Sequence, residues 1–437
     1  MDSPLVDILT EELSKARPPA LAVAFSGGLD STVLLHALST LPFARELGLR
    51  ALHVDHGLHT DSSAWADHCV ALCDSLAVPI RVLRCNVDRD SGQGIEGAAR
   101  SARYAALASA LRSDEWLACA QHQDDQAETL LLRLLRASGT AALGAMRPQR
   151  GLGQGTLWRP LLGCPRQTLQ AYAVDHALTW IEDPANADPR HQRSWLRNEV
   201  MPLLRSRWPH ASVALATSAG LLAADADLLA PQVHAALTSC SQADPHTLAI
   251  AALLDLTPPM RAHVLRSWLR LAGADPLPQH LHARINHQLI DAAADGQPLI
   301  RYRNTRIQRY RGLLHVSVGE LAAMPEQTQE WDGRAPLRLA DGSELRFVLP
   351  WTGAALTVGH RQGGERMRLP GRLHSHSLKH VLQDVGIPPW LRPRLPLLWS
   401  ADGELLAAGE QAISARLDVE LQAQGNGLQW LREMTPL

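Results

Sequence analysis

Two adjacent glycines between an apolar run and a helical run constrain this chain more than any other feature. Residues 21–25 are typical of a buried strand, and residues 32–38 have the apolar spacing of an amphipathic helix. Between them stand Ser26, Gly27, Gly28, Leu29, Asp30 and Ser31. Without a Cβ, adjacent glycines let successive N–H groups point into one concavity at a helix N-terminus, where the helix dipole favours an anion. The pattern indicates a phosphate site, and the alternative is an ordinary strand-to-helix turn.

The side chains of this loop narrow the kind of phosphate site. The stretch has no lysine and lacks the Gly-Lys-Ser/Thr ending of a Walker A loop. Two serine hydroxyls and one carboxylate instead accompany the glycines. The loop resembles the SGGxDS loop of the PP-loop ATP pyrophosphatases, which cleave ATP between its α- and β-phosphates. The resemblance implies that residues 26–31 hold pyrophosphate and that Asp30 lies near Mg²⁺.

Strands alternate with helices over the first part of the chain, which predicts a doubly wound, mostly parallel α/β sheet. The second strand, at residues 50–58, contains His53, Asp55 and His56. Ligands of open α/β sheets bind outside the carboxyl ends of the strands. These three residues are therefore candidates for nucleotide binding, although strand-end Asp and His are just as often turn residues.

A helix after Gly94 carries Arg100 and Arg103, which lie three apart on one face. They are either a solvated basic stripe or a pair that faces phosphates, and the residues alone leave both interpretations open.

A second helix follows the predicted strand at residues 116–120, and its first turn is acidic. Asp124 is a candidate N-cap. Asp125 and Glu128, at positions i and i+3, suit binding Mg²⁺ or moving a proton, and His122 is beside them.

Composition sets the broad class. The chain has 437 residues with 46% hydrophobic and 20% charged residues, which is ordinary for a soluble globular protein of two or three domains. No basic n-region precedes an apolar core, and no apolar stretch approaches the roughly 18 to 20 residues of a membrane span. We therefore expect a cytoplasmic protein with no membrane partner. Six cysteines without a Cys-x-x-Cys pair indicate no disulfide framework.

The region from residue 159 to residue 204 completes an ordered set of motifs. It contains Arg159-Pro160-Leu161-Leu162, then Glu182-Asp183-Pro184-Ala185-Asn186, then Arg193 and Arg197. With the earlier motifs, the chain resembles the tRNA(Ile)-lysidine synthetases, whose signals are SGGxDS, HVxHGLR, EAxARxxRY, HHxDDQxET and RPLL…W.EDPSN…R. All five occur here in the family's order over residues 20–208. His59, Gln121 and Ser194 depart from the pattern, and Gln121 replaces the first of two histidines, which favours His122 as the functional one.

Basic residues cluster in the later part of a chain whose net charge is −2. Residues 301–311 carry five arginines and two tyrosines, a pattern typical either of an exposed strand face or of phosphate contact and base stacking. From residue 356 the chain resembles the family's C-terminal tRNA-binding domain. The resemblance implies tRNA contacts by Arg366, Arg368 and Lys379.

These observations divide the chain into four parts. We predict a Rossmann-like PP-loop catalytic domain at residues 1–215 and a helical substrate-binding domain with a connector helix at 216–320. A linker at 321–355 and a small α+β C-terminal domain at 356–437 complete the prediction.

The resemblance implies an ATP-dependent ligase that joins free L-lysine to C2 of the wobble cytidine of tRNA(Ile) with a CAU anticodon. Codon reading would change from AUG to AUA, and identity from Met to Ile. Cytidine O2 attacks the α-phosphate, pyrophosphate leaves, and the ε-amine of lysine then displaces AMP.

We predict the residue roles in this reaction from the resemblance and from the chemistry of the side chains. Mg²⁺ is held by Asp30 and Asp125, while Arg103 and Arg197 stabilise the adenylated intermediate. Lysine must lose a proton, which Asp125, Glu128 or His122 takes.

Two other functions remain open from the sequence. One is a PP-loop tRNA 2-thiolation enzyme, although such enzymes usually carry cysteine pairs. The other is a non-catalytic RNA-binding relic, which the intact loop and carboxylates disfavour. A homodimer is compatible with the sequence, which does not determine the oligomeric state.

Overall fold

The computed structural model describes residues 3–88, 94–184, 188, 190–275, 277–292, 298–319 and 328–431. The chain forms two compact units, Met1–Pro231 and Gln232–Leu437. Ala185 and Asn186 of the predicted motif and residues 321–327 of the predicted linker lie outside the described residues.

A six-stranded sheet forms the centre of the first unit, with strand order β3-β2-β1-β4-β6-β5. Its strands are β1 (Leu21–Ala24), β2 (Arg50–Asp55), β3 (Ile80–Arg84), β4 (Trp116–Ala118), β5 (Gln149–Leu152) and β6 (Gly155–Trp158). All neighbours pair in parallel except β5 and β6. The predicted doubly wound, mostly parallel sheet is confirmed.

Helices cover both faces of this sheet. They are α1 (Pro4–Ala16), α2 (Leu29–Thr40), α3 (Pro42–Glu46), α4 (Ser62–Ser75), α5 (Gly94–Ala110), α6 (Gln123–Leu134), α7 (Thr140–Leu143), α8 (Arg166–Asp175), α9 (Gln192–Trp195), a π-helical turn (Leu196–Val200), α10 (Met201–Arg207) and α11 (Ala211–Cys240). Because side chains alternate along a strand, Leu21 and Val23 pack with α1, α2, α4 and α8, whereas Ala22 packs with Leu107 of α5. Helices α2 and α5 therefore lie on opposite faces.

Helix α11 contradicts the expectation that no stretch is apolar enough to span a membrane. It passes that test by length and composition, and 11% of its apolar window is buried. Ala219 of α11 is fully buried in a cluster with Leu130 and Ala145. Asp227 of α11 forms an ion pair with Arg147, at 2.7 Å between Nη1 and Oδ2. These contacts hold α11 against the α/β domain.

The second unit begins with a four-stranded antiparallel sheet of order β7-β10-β9-β8. The strands are β7 (Thr247–Ala249), β8 (Leu299–Tyr302), β9 (Thr305–Tyr310) and β10 (Leu313–Val318), and the helices are α12 (Ile250–Leu254), α13 (Pro258–Leu271) and α14 (Gln279–Arg284) with a π-helical turn (Ile285–Ile290). The arginine-rich run at 301–311 therefore lies mostly in strands.

Arg309 of that run is not available for phosphate contact. Its guanidinium is buried and donates hydrogen bonds to the carbonyl oxygens of Leu289, Ile290 and Ala292. These carbonyls end a helix and need donors, which Arg309 supplies.

In the described residues of the C-terminal part, strands are accompanied by two α-helices and a 3-10 helical turn (Arg392–Arg394). The strands are β11 (Gln329–Trp331), β12 (Leu337–Arg338), β13 (Glu344–Phe347), β14 (Leu356–Gly359), β15 (Arg366–Met367), β16 (His376–Ser377), β17 (Leu397–Ser400), β18 (Leu405–Ala408), β19 (Ala412–Ile413) and β20 (Leu428–Leu431), and the helices are α15 (Leu378–Val385) and α16 (Ala415–Gln424). The prediction of a linker is wrong for residues 329–351. Strand β11 pairs with β14, β13 pairs with β20, and Trp331, Phe347 and Trp351 are buried in the core of this part.

Candidate active site

The turn after β1 brings the predicted loop to the carboxyl edge of the sheet. Gly27 has φ +80°, a left-handed conformation that favours glycine. A Cβ at Gly27 would lie 2.5 Å from Cδ1 of Ile181 and 2.9 Å from Sγ of Cys69. Gly28 is the N-cap of α2, with φ −75°. The first glycine is required by both backbone conformation and space, and the second by neither.

Hydroxyl groups hold the loop closed over the first turn of α2. The Ser31 hydroxyl accepts a hydrogen bond from the Ser26 amide (3.2 Å) and donates to the Gly28 carbonyl (3.0 Å). The Thr32 hydroxyl donates to the Gly27 carbonyl (3.2 Å). A 12-residue helix then starts from a constrained turn. Such a turn can present backbone N–H groups and a positive dipole end to a phosphate.

Asp30 lies in the first turn of α2 and faces His122. Its Oδ2 lies 3.7 Å from Nε2 of His122, and its Oδ1 lies 3.5 Å from Nε of Arg166. Burial would raise the pKa of Asp30, but His122, Arg166 and Arg197 outweigh burial, so that pKa lies below its usual value. Oδ1 is buried and accepts no hydrogen bond. An ionised carboxylate with a vacant oxygen is suited to a cation.

His122 is fully buried among three carboxylates. Its ring nitrogens lie 3.7, 3.9 and 3.5 Å from oxygens of Asp30, Asp124 and Asp125. Burial lowers the pKa of His122, but the three carboxylates raise it further, and the net shift is upward. The imidazolium form is therefore favoured. Neither ring nitrogen of His122 has a hydrogen-bond partner among the described residues, so its predicted role as a proton acceptor stays a prediction.

Asp125 and Glu128 share two arginines. Arg197 donates from Nε to Glu128 (2.7 Å) and from Nη2 to Asp125 (2.8 Å). Arg193 donates from Nε to Glu128 (2.8 Å) and from Nη2 to Asp125 (2.9 Å). Desolvation lowers the pKa of Arg197, but Glu128 and Asp125 raise it by more, so Arg197 stays charged.

This network changes the predicted role of the carboxylates. Both oxygens of Glu128 accept from guanidinium groups, and the second oxygen of Asp125 accepts from the His122 amide (3.1 Å). Each oxygen of both carboxylates already accepts at least one hydrogen bond, unlike Oδ1 of Asp30.

The sequence analysis named Arg193 only as part of a motif and did not predict that it pairs with Asp125 and Glu128. The spacing in the sequence could have indicated this pairing. Arg193 and Arg197 are four residues apart and Asp125 and Glu128 are three apart, so the spacing places each pair on one face of a helix.

Asp124 is not the N-cap of α6, because His122 occupies that position. The Asp124 carboxylate instead accepts from the Arg166 amide (2.9 Å), the Ser212 hydroxyl (2.9 Å) and the Arg205 guanidinium. Asp124 therefore ties α8, α10 and α11 to the base of α6.

The candidates on β2 have local partners. The ring Nδ1 of His53 is 2.9 Å from the Phe25 carbonyl, and burial lowers the pKa of His53. Asp55 accepts from the Gly57 amide (2.9 Å), as a turn residue does. Nδ1 of His56 is 3.2 Å from Sγ of Cys85. Burial, followed by the charge of Arg103, lowers the pKa of His56. These contacts place Arg103 near the end of β2.

Of the two predicted magnesium ligands, Asp30 and Asp125, the structure supports Asp30 more strongly. The vacant Oδ1 of Asp30 suits a hard cation, and Mg²⁺ commonly uses one or two carboxylates together with substrate phosphates. Each oxygen of Asp125 already accepts a hydrogen bond, so the structure offers less support for this half, which stays a prediction. The described residues contain no cluster of three or more His, Cys, Asp and Glu side chains arranged to hold a metal by themselves.

The three predicted tRNA contacts are exposed side chains on adjoining elements of the C-terminal part. Arg366 is on β15 and Lys379 is in the first turn of α15, while Arg368 follows β15. Arg366 donates from Nε to the Ser375 hydroxyl (3.1 Å). The structure brings these cations to one region of the surface.

Family models match three parts of the chain. A PP-loop domain matches residues 2–204, a TilS substrate binding domain matches 248–315, and a TilS substrate C-terminal domain matches 356–430. A crystal structure of a TILS C-terminal domain is similar over 25% of this chain and 100% of its own, at 23% identity and a TM-score of 0.19.

Curated relatives match almost the whole chain. The tRNA(Ile)-lysidine synthase of Xanthomonas axonopodis pv. citri (strain 306) is 49% identical over 422 residues, 96% of each chain. The tRNA(Ile)-lysidine synthase of Pseudomonas putida (strain KT2440) is 42% identical over 400 residues, 89% of this chain and 92% of its own. With relatives of this similarity along nearly its full length, the chain belongs to the tRNA(Ile)-lysidine synthase family.

Proposed function

We propose that this chain uses ATP to join L-lysine to C2 of the wobble cytidine in the CAU anticodon of tRNA(Ile), and that it releases AMP and pyrophosphate. The relatives, named for tRNA(Ile)-lysidine, support the product, and the PP-loop match supports ATP as co-substrate. The observation that carries the proposal is the geometry at α2. There a constrained glycine turn and the vacant carboxylate oxygen of Asp30 lie at one helix N-terminus.

Two chemical steps follow from this assignment. Cytidine O2 attacks the α-phosphate of ATP, the bond to the β-phosphate breaks, and pyrophosphate leaves. The ε-amine of lysine then attacks C2 of the adenylated cytidine, loses a proton, and AMP leaves with the former O2.

The loop at residues 26–31 binds the departing pyrophosphate through backbone N–H groups, and the end of the helix dipole offsets its charge. Mg²⁺ bound at Asp30 would neutralise phosphate charge. Arg197 keeps its Nη1 outside the ion pairs described above, so it can also contact a phosphate while it remains bound to Glu128.

His122, Asp125 and Glu128 position groups rather than take the lysine proton. His122 lies 3.7 Å from Asp30, where a positive charge on its ring would favour the ionised carboxylate. The ion pairs of Asp125 and Glu128 fix α6 against the π-helical turn that carries Arg197.

The domain boundaries remain part of this proposal, with residues 1–215 as the catalytic domain, 216–320 for substrate binding and 356–437 for tRNA. A homodimer also stays a prediction, which light scattering tests.

Asp30→Ala tests the assignment most directly. We expect loss of ATP–pyrophosphate exchange and of labelled lysine incorporation into a CAU tRNA transcript, with tRNA affinity unchanged. Asp7→Ala is the matched control, because Asp7 is an exposed acid in the first turn of α1. Wild-type protein that incorporates no lysine would contradict the proposed function. A D30A variant with normal exchange would contradict only the role of Asp30.

A further inference from the structure

Three arginines surround one tyrosine in the first unit. The guanidinium carbons of Arg100, Arg103 and Arg150 lie 5.2, 5.5 and 5.0 Å from the centre of the Tyr104 ring. Each contact is a favourable cation–π interaction. Helical spacing brings Arg100, Arg103 and Tyr104 together on α5, and Arg150 reaches the same ring from β5. The three cations also repel one another.

A fourth guanidinium lies beneath them and has neutral partners. Arg159 is 5% exposed and donates from Nε to Oε1 of Gln121 (3.1 Å) and from Nη1 to the Arg147 carbonyl (2.7 Å). Burial is the main cause that lowers the pKa of Arg159, and Arg150 also lowers it. In the described part of the chain, none of these four arginines has a carboxylate partner within ion-pair distance. Burying a guanidinium with only neutral partners costs free energy, and a bound anion would offset that cost.

We call Arg100, Arg103, Arg150 and Arg159 the arginine cluster. It lies near the Asp30 site but on the face of the sheet covered by α5, whereas Asp30 is on α2. All four charges act on the buried thiol of Cys119, which follows β4. Gln121 and His122 are consecutive, and their side chains reach Arg159 and Asp30 respectively. The cluster therefore lies beside α5, at the same carboxyl edge of the sheet as the loop on α2.

We propose that the arginine cluster around Tyr104 is a binding site for RNA backbone phosphates, those next to the nucleotide that reacts at the Asp30 site. The inference rests on the proposed function, which requires one nucleotide of a polyanion to enter this edge. The turn at α2 already provides for the phosphates of ATP. Guanidinium forks match phosphate oxygens, and the exposed Arg100 and Arg150 can reach a strand that passes over the surface.

Arg100→Ala and Arg150→Ala test the site without changing a residue placed in the catalytic machinery. We expect each to weaken binding of a CAU tRNA transcript, and of its isolated anticodon stem-loop, by roughly five- to tenfold. The slope of log affinity against log salt should fall by about 0.7 to 1 for each phosphate that the variant no longer neutralises. Arg150→Lys should keep most of the slope. Arg81→Ala, on exposed edge strand β3, removes the same charge and should change neither quantity.

Three outcomes would overturn the inference. An unchanged salt slope in the R100A/R150A double variant means that the cluster does not contact RNA. Loss of ATP affinity in the absence of RNA assigns the cluster to the nucleotide instead. Equal losses in R81A mean that only the overall charge matters. Failure of the proposed function is recognised separately, because wild-type protein would then fail to incorporate lysine.

Discussion

At the scale of single residues, most charged side chains of the site are paired with an opposite charge. Asp125 and Glu128 each bind both Arg193 and Arg197, and His122 lies among three carboxylates. Asp30 has one carboxylate oxygen that accepts no hydrogen bond from the described residues, and both ring nitrogens of His122 also lack a hydrogen-bond partner there. A free group beside a fixed network suits a metal and phosphate site, since the fixed charges do not reorganise during the reaction.

Glu128→Gln should therefore destabilise the protein and slow both chemical steps alike. The change leaves two guanidinium groups facing a neutral amide, and breaking a buried ion pair costs roughly 3 kcal/mol. Urea denaturation and single-turnover assays of pyrophosphate release and lysine transfer measure the two effects. Glu199→Gln is the control, since Glu199 is exposed on the neighbouring turn. Slowing confined to lysine transfer would instead restore Glu128 as the base.

We predict that the buried His282 makes the folded second unit less stable at acidic pH. It is 5% exposed with an unpartnered Nδ1, and burial, followed by the charge of Arg266, lowers its pKa to about 4. Between about pH 6.5 and 4 the unfolded chain binds a proton at this residue and the folded chain does not. Stability therefore falls as pH falls through that window, by about 1 to 3 kcal/mol in total.

Urea midpoints at several pH values measure this loss. His282→Gln should flatten the dependence, whereas His287→Gln, at a residue whose side chain is 80% exposed, should not. Identical pH profiles for wild type and H282Q would contradict the assignment.

At the scale of elements, the turn between β1 and α2 depends on one of its two glycines. Gly27 combines a positive φ with close contact to Ile181, whose amide donates to the Gly27 carbonyl (2.8 Å). The segment that carries Ile181 thus forms the outer wall of the loop. The close packing ties the phosphate turn to a segment about 150 residues later in the sequence.

Gly27→Ala should cost about 2 kcal/mol or more of folding stability and abolish pyrophosphate exchange. The left-handed conformation alone costs roughly 1–2 kcal/mol for a non-glycine residue, and the 2.5 Å contact adds to it. Gly28→Ala is the matched control, because the nearest atom to its added Cβ is 3.6 Å away. Ile181→Val should partly rescue G27A by removing Cδ1. Equal tolerance of G27A and G28A would show that the turn is not constrained as described.

At the scale of the whole molecule, cationic surface is distributed over both units although the net charge is −2. The first unit has the arginine cluster around Tyr104, and the second has Arg366, Arg368 and Lys379 exposed around β15 and α15. Local concentration of charge, rather than the total, determines where a polyanion binds.

Replacing Arg366, Arg368 and Lys379 together with alanine should weaken tRNA binding and reduce its salt slope by about one unit for each phosphate that is no longer neutralised. ATP affinity should not change, because the phosphate turn is in the other unit. Filter binding across a salt series measures the slope, with Arg334→Ala as a control from the same part of the chain. An unaltered slope would exclude this surface from RNA contact.

Local sequence patterns were enough to predict the sheet, the family and the residues of the phosphate loop. Hydrophobic periodicity predicts the parallel sheet, because strand and helix periods are properties of short segments. The order of five motifs identifies the family, and Gly27 and Asp30 follow from the loop in which they stand.

Other features were decided only by tertiary structure, because they depend on which distant groups meet. The sequence favours Glu128 as a free carboxylate, but Arg193 and Arg197, 65 and 69 residues away, occupy its oxygens in the folded chain. Strands β11 and β13 lie in a region of turn-like composition and form only through their partners β14 and β20. Arg309 belongs to a basic run in the sequence but is buried under helix carbonyls. Ionisation and burial depend on the surrounding charges and solvent, and chain folding determines both.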